Sequence, residues 1–88
     1  DGSAGGVEEG SITFDLCKNL IDDFCLVTED EIAKQIRDSF NYDKIVIEGS
    51  AAVSIASLIK MKQKFKNKNI AIIICGGNIG SETIKSIL

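Results

Sequence analysis

Asn69-Ile70-Ala71-Ile72-Ile73-Ile74-Cys75-Gly76-Gly77-Asn78 is the stretch on which the reading of this chain turns. An apolar, mostly β-branched run ends abruptly in a cysteine, two glycines and an asparagine. Such a run, bounded by turn residues, reads as a strand buried on both faces. Strands of that kind belong to parallel sheets, and open α/β sheets bind ligands just beyond the strands' carboxyl ends. Cys75 through Asn78 occupy that place. The two glycines let the backbone turn sharply or come close to a ligand. Cys75 sets a weak donor at the strand end.

The flanks support the same reading. After the corner, Ser81 is expected to cap a last helix running to Leu88, with Glu82 in its first turn. Before the strand, Lys60–Lys68 is a solvated basic turn. Gly49-Ser50 opens an apolar helix from Ala51 to about Met61, whose small residues suit close packing on a sheet. Lys44–Glu48 is β-branched and reads as a short strand or an extended link. Thr28-Glu29-Asp30-Glu31 is a capping box, and the helix it starts carries Ile32, Ile36 and Phe40 on one face, finishing near Asn41. Phe24–Val27 is a short apolar run and reads as a strand. Ser11 is positioned to cap a helix bearing Leu16, Cys17, Leu20 and Ile21, and Asp22-Asp23 ends it. Residues 1–10 are glycine-rich loop. Alternating helices and strands predict an α/β fold, an open and mostly parallel sheet flanked by helices, with right-handed crossovers.

The 88 residues suit one small domain, and 44% hydrophobic with 26% charged residues is the balance of a globular chain. A parallel sheet needs more strands than this length supplies, so the chain is expected to be one part of a larger α/β protein. Net charge is -3 with scattered lysines, which leaves no electrostatic footprint for nucleic acid. No apolar run is long enough to cross a bilayer, and no membrane partner is expected. There is no histidine, which removes Ser-His and Cys-His nucleophile systems. Cys17, Cys25 and Cys75 form no metal-ligand spacing, so no metal site is expected. Free thiols fit a reducing compartment, the cytoplasm.

Each candidate site residue has two readings. The Cys75–Asn78 corner is a ligand site or a tight strand-to-helix turn, and it matches neither G-x-G-x-x-G nor a Walker A loop. A phosphate on the amides before Ser81 is physically allowed. Glu48 caps the small-residue helix or projects into a cleft. Gly2, Gly5 and Gly6 approach a ligand or form a linker. Cys17 and Cys25 sit on apolar faces and read as core.

Taken together, four blocks resemble the carboxy-terminal part of the pyridoxal-phosphate-dependent threonine and serine dehydratases of fold type II, relatives of serine racemase. Asp1-Gly2 resembles the end of that family's Ala-Asp-Gly motif. Leu20-Ile21-Asp22-Asp23 with Val27–Ile32 resembles its Val-Asp-Asp…Val-Thr/Ser-Glu-Asp-Glu-Ile block. Ile47–Val53 resembles Val-Glu-Gly-Ala-Gly-Ala-Val, and Cys75-Gly76-Gly77-Asn78 resembles Ser-Gly-Gly-Asn. The blocks run in family order and cover nearly the whole chain.

The resemblance implies pyridoxal 5'-phosphate as cofactor and residues 1–88 as the carboxy-terminal part of its binding domain. It implies that Cys75, at the usual serine position, bonds the pyridine nitrogen. Gly2 would lie near the ring's 3-hydroxyl, Glu48 would face the pocket, Gly76 and Gly77 would give the ring room, and Asn78 would lie close by. A thiol donates without surrendering its proton, so the ring stays a moderate electron sink, which suits β-elimination. The family's Schiff-base lysine and phosphate loop lie upstream and have no counterpart here, so no catalytic residue is assigned and the chain alone is expected to be inactive. The implied reaction converts an amino-acid substrate, threonine or serine, to a 2-oxo acid and ammonia, in a full-length protein expected to be a homo-oligomer. The alternatives are an amino-acid racemase of the same family, or a non-enzymatic α/β module that binds a phosphate or a partner.

Overall fold

A computed structural model describes Ser3 and residues 5–88. Four helices follow in order: α1 Ile12–Leu20, α2 Glu29–Asp38, α3 Gly49–Lys60 and α4 Ser81–Ile87. One turn of π-helix, Ser39–Asp43, extends α2. Each helix begins for a local reason. The Ser11 hydroxyl accepts the Phe14 amide at 3.1 Å and starts α1. The capping box at α2 is complete: Thr28 Oγ1 accepts the Glu31 amide at 3.2 Å, and Glu31 Oε2 accepts the Thr28 amide at 2.7 Å. The π-turn ends at Lys44 in the left-handed region, φ 62°, which stops further helix. At α4 the cap is Gly80, not Ser81; Ser81 is the first helical residue and its side chain makes no cap bond.

The core is small and lies between α2 and α3. Ile36, Ile47, Ala51 and Ala52 form it, with Ile32, Ile55, Ile79 and Ile87 packed around them. Ala51, Ala52 and Ala56 are buried because side chains of one methyl let α3 approach α2 closely. The small-residue face therefore packs on a helix, where the sequence suggested a sheet. Ile47, 2% exposed, is the largest fully buried side chain. The Arg37 guanidinium donates to the Ile87 carbonyl at 3.0 Å and ties α2 to the end of α4. Lys60 reaches the Leu26 carbonyl at 2.8 Å and Glu31 at 3.4 Å, and Lys64 pairs with Asp23, so the 22–28 link is held to the end of α3.

The expected strands do not form among the described residues. Phe24–Val27, Lys44–Glu48 and Asn69–Ile74 lie outside regular structure. A strand needs a neighbour to take its amides and carbonyls, and the backbone bond that Lys44–Glu48 makes in this direction, Glu48 N–H to the Gly76 carbonyl at 3.0 Å, falls beyond the end of the 69–74 run. Nor is the 69–74 run buried on both faces: Ile73 is 72% exposed. Cys17 and Cys25 are half-buried rather than core. No residue of α1 is buried, and Ile12, Leu16 and Leu20 are exposed. The radius of gyration is 14.3 Å, against about 12 Å for a packed domain of this length. The helical core is closed on one side, and the apolar runs beside it are left open.

Because Ala52 is fully enclosed, Ala52→Leu should overpack the α2–α3 contact and cost about 1–3 kcal/mol. Chemical denaturation reads this directly, and an unchanged midpoint would mean the helices do not meet at Ala52.

Candidate functional site

Two segments meet at the site, each fixed by an isoleucine in the core. Ile47 precedes Glu48, and Ile79 follows Asn78. Packing of these neighbours places the carboxylate of Glu48 against the glycine corner. Glu48 is the N-cap residue of α3, yet its side chain makes no cap bond. Its Oε2 instead accepts the Asn78 amide at 2.9 Å, and its Oε1 accepts the Ser50 hydroxyl at 2.5 Å. The Glu48 amide closes the loop on the Gly76 carbonyl. The carboxylate therefore does not cap α3 through its side chain but ties the start of that helix to the 76–78 corner.

The glycines are explained by close approach. A Cβ on Gly76 would fall 2.7 Å from Glu48 Oε2, and one on Gly77 would fall 2.7 Å from the Val46 carbonyl oxygen. Neither glycine has positive φ. The space they leave is therefore filled first by the chain's own carboxylate and carbonyl. Cys75 is exposed beside them, and its thiol donates to Ser50 Oγ at 3.4 Å. Cys75, Ser50, Glu48 and the Asn78 amide form one connected chain of hydrogen bonds.

Glu48 is held below the usual glutamate range, first by the Ser50 hydroxyl and then by the Asn78 amide, against a smaller opposing effect of burial. A carboxylate depressed in the folded state adds stability above its unfolded-state pKa. That stability is lost as pH falls through the folded value. Asp23, beside Lys64 and the Phe24 amide, and Glu31, on the Thr28 amide, act in the same direction.

Of the residues expected in the site, Cys75, Gly76, Gly77, Glu48 and Asn78 come together, Asn78 through its backbone. Gly2 lies outside the described residues. Ser50 was not expected. Its signal was a hydroxyl two positions after a carboxylate at a helix start, where the side chain can turn back on Glu48. Two amides of the turn are already taken, that of Asn78 by Glu48 and that of Ile79 by the Gly77 carbonyl at 3.0 Å. A carboxylate at that point also repels an anion. Glu48, Gly49 and Asn78 further line a cavity of about 160 Å³ under α4, too small for a ligand of cofactor size.

An exposed thiol, a carboxylate and two glycines thus come together where the apolar 69–74 run leads toward α4. Residues 1–76 match the family described as pyridoxal-phosphate dependent enzyme. The chain belongs to that family, whose architecture is the fold type II α/β type. It is 35% identical over 80 residues to a putative threonine dehydratase of Sinorhizobium fredii, covering 90% of this chain and 24% of that protein. It is 39% identical over 79 residues to an L-threonine ammonia-lyase of Thermotoga maritima, with 90% and 20% covered. It is 41% identical over 81 residues to a serine racemase of Dictyostelium discoideum, with 90% and 25% covered. The chain thus spans about a fifth to a quarter of the length of these relatives.

Toward the family's cofactor, the exposed Cys75 thiol is a donor of the kind a ring nitrogen accepts, but the room expected for the ring at Gly76 and Gly77 is taken by the Glu48 carboxylate and the Val46 carbonyl. Five of the lysines are engaged away from this corner: Lys34 pairs with Asp38, Lys44 with the Asn41 carbonyl, Lys60 with Leu26 and Glu31, Lys64 with Asp23 and Lys85 with Glu82.

Gly77 faces a backbone carbonyl and Gly76 a side chain, which separates their variants. Gly77→Ala should cost about 1–3 kcal/mol because the backbone must move. Gly76→Ala should cost less and chiefly displace Glu48 from the Asn78 amide. Denaturant midpoints rank the two, and the reverse order would contradict this geometry.

Proposed function

We propose that this chain is the carboxy-terminal part of the cofactor-binding domain of a pyridoxal-phosphate-dependent amino-acid dehydratase. The full-length enzyme would act on threonine or serine by β-elimination, giving a 2-oxo acid and ammonia. The observation that carries the reading is the convergence of Cys75, Gly76, Gly77, Glu48 and the Asn78 amide at one exposed corner, in a chain whose relatives include a threonine ammonia-lyase and a threonine dehydratase. Pyridoxal phosphate, when bound, supplies an electron sink for the substrate's α-carbon.

This chain's residues would act as a wall of that site. Cys75 would hold the ring nitrogen by donating its thiol proton without losing it. Glu48, kept ionised by Ser50 and Asn78, would fix the glycine floor to the start of α3. Gly2, by resemblance, would complete the ring's edge. The Schiff-base lysine and the phosphate loop would come from the remainder of the protein, so this chain would be inactive alone. Exposed apolar runs along α1 and residues 69–74 support burial against further protein, within the subunit or in a homo-oligomer. Among the described residues no helix is long and apolar enough to cross a membrane, and the free cysteines fit a cytoplasmic setting. A second reading, amino-acid racemisation, has the support of the serine racemase relative.

The full-length protein tests this. Cofactor absorbance followed with L-threonine and L-serine, with 2-oxo acid and D-serine assayed together, should show 2-oxo acid as the main product. D-Serine in excess of 2-oxo acid would favour the racemase, and no cofactor band would overturn both. Cys75→Ser should keep most activity, and Cys75→Ala should lose about tenfold, the scale of one hydrogen bond at a site. Equal activity of all three proteins would remove Cys75 from the site.

A further inference from the structure

We infer that Ser50 is a positioning residue that fixes the rotamer and proton of the Cys75 thiol, using the Glu48 carboxylate as its anchor. The inference rests on the assignment of Cys75 to the cofactor wall, but its geometry stands without it. A serine hydroxyl has one proton and two lone pairs. Here the proton is committed to Glu48 Oε1 at 2.5 Å. Only acceptor capacity remains toward Cys75, whose Sγ lies 3.4 Å away. The thiol therefore has to be the donor in that contact.

Three features make the order of the chain fixed rather than reversible. Glu48 cannot swing to release Ser50 easily, because its other oxygen is held by the Asn78 amide at 2.9 Å. Ser50 sits in the first turn of α3, whose next residues Ala51 and Ala52 are fully buried, so its backbone is fixed. Cys75 and Gly76 are held to the same point by the Gly76 carbonyl, which accepts the Glu48 amide. A polar side chain at each of positions 50 and 75 is needed for the link, and both depart from the usual residues of the motifs they resemble, alanine and serine. The thiol is soft and a weak donor, and it gains from a nearby acceptor that has no proton to offer back.

The consequence is a thiol whose rotamer is set at rest by its bond to Ser50. It is released to a stronger acceptor, a ring nitrogen, without a change in its own backbone. Loss of the Ser50 hydroxyl would leave the thiol free to rotate.

The test uses the full-length protein and site-resolved alkylation of Cys75 by iodoacetamide, with Cys17 and Cys25 as internal references, first without added cofactor. Ser50→Ala should raise the Cys75 rate about three- to tenfold, the range of one modest hydrogen bond, and leave the other two cysteines unchanged. Ser50→Thr, which keeps the hydroxyl, should restore the wild-type rate. Cofactor affinity by absorbance should then fall by a similar factor in Ser50→Ala alone. A Ser50→Ala rate equal to wild type, or a Ser50→Thr rate as fast as Ser50→Ala, overturns the inference. A faster Cys75 in Ser50→Ala with no cofactor bound by the wild type sustains the Ser50 link and instead removes the cofactor assignment.

Discussion

The bond from the Asn78 amide to Glu48 is the constraint on which the site depends. It joins two segments thirty residues apart at a point that has no strand pairing to hold it. Each partner sits next to an isoleucine, Ile47 in the core on one side and Ile79 packed against it on the other, so hydrophobic packing brings the backbone close and the carboxylate joins the two segments. Everything else at the corner follows from that placement. The Gly76 and Gly77 positions exclude a Cβ because Glu48 and the Val46 carbonyl occupy the space. Cys75 is exposed, as are Ile73 and Ile74 before it.

Packing and polarity divide the work. The α2–α3 core is made of isoleucine and alanine and would hold two helices together without regard to the site. Burial of Ala51 and Ala52 fixes the first turn of α3, and that turn delivers Ser50 to Glu48. The side chains of the ion pairs made by Lys34, Lys60, Lys64 and Lys85 are about a third exposed or more, and exposed pairs of this kind contribute little. They tidy the links rather than determine the fold.

Local signals in the sequence were legible where one or two side chains decide the outcome. The Thr28–Glu31 capping box, the Ser11 cap and the apolar helix after Glu48 could be read directly, because a cap needs only its own turn. The strands could not be confirmed, because a strand is a property of its neighbour. Asn69–Ile74 has the composition of a buried strand, and in these residues nothing pairs with it. Gly80 displaced Ser81 as the cap of α4 because the extended backbone there reaches the helix one residue earlier. Among site residues, Cys75, Glu48 and the glycines were visible through their motifs. Ser50 was hidden because its role depends on a contact with Cys75 twenty-five residues away, which no spacing within the α3 segment reveals.

The most direct measurement is an NMR pH titration of the full-length protein that follows the Asn78 backbone amide and the Glu48 carboxyl carbon together. Both signals should move with one shared midpoint lying below the ordinary glutamate range, because the amide donates to the carboxylate whose ionisation it favours. An Asn78 amide indifferent to pH while Glu48 titrates at its usual value would mean that the two segments are not joined there, and the corner would lose the contact that organises it.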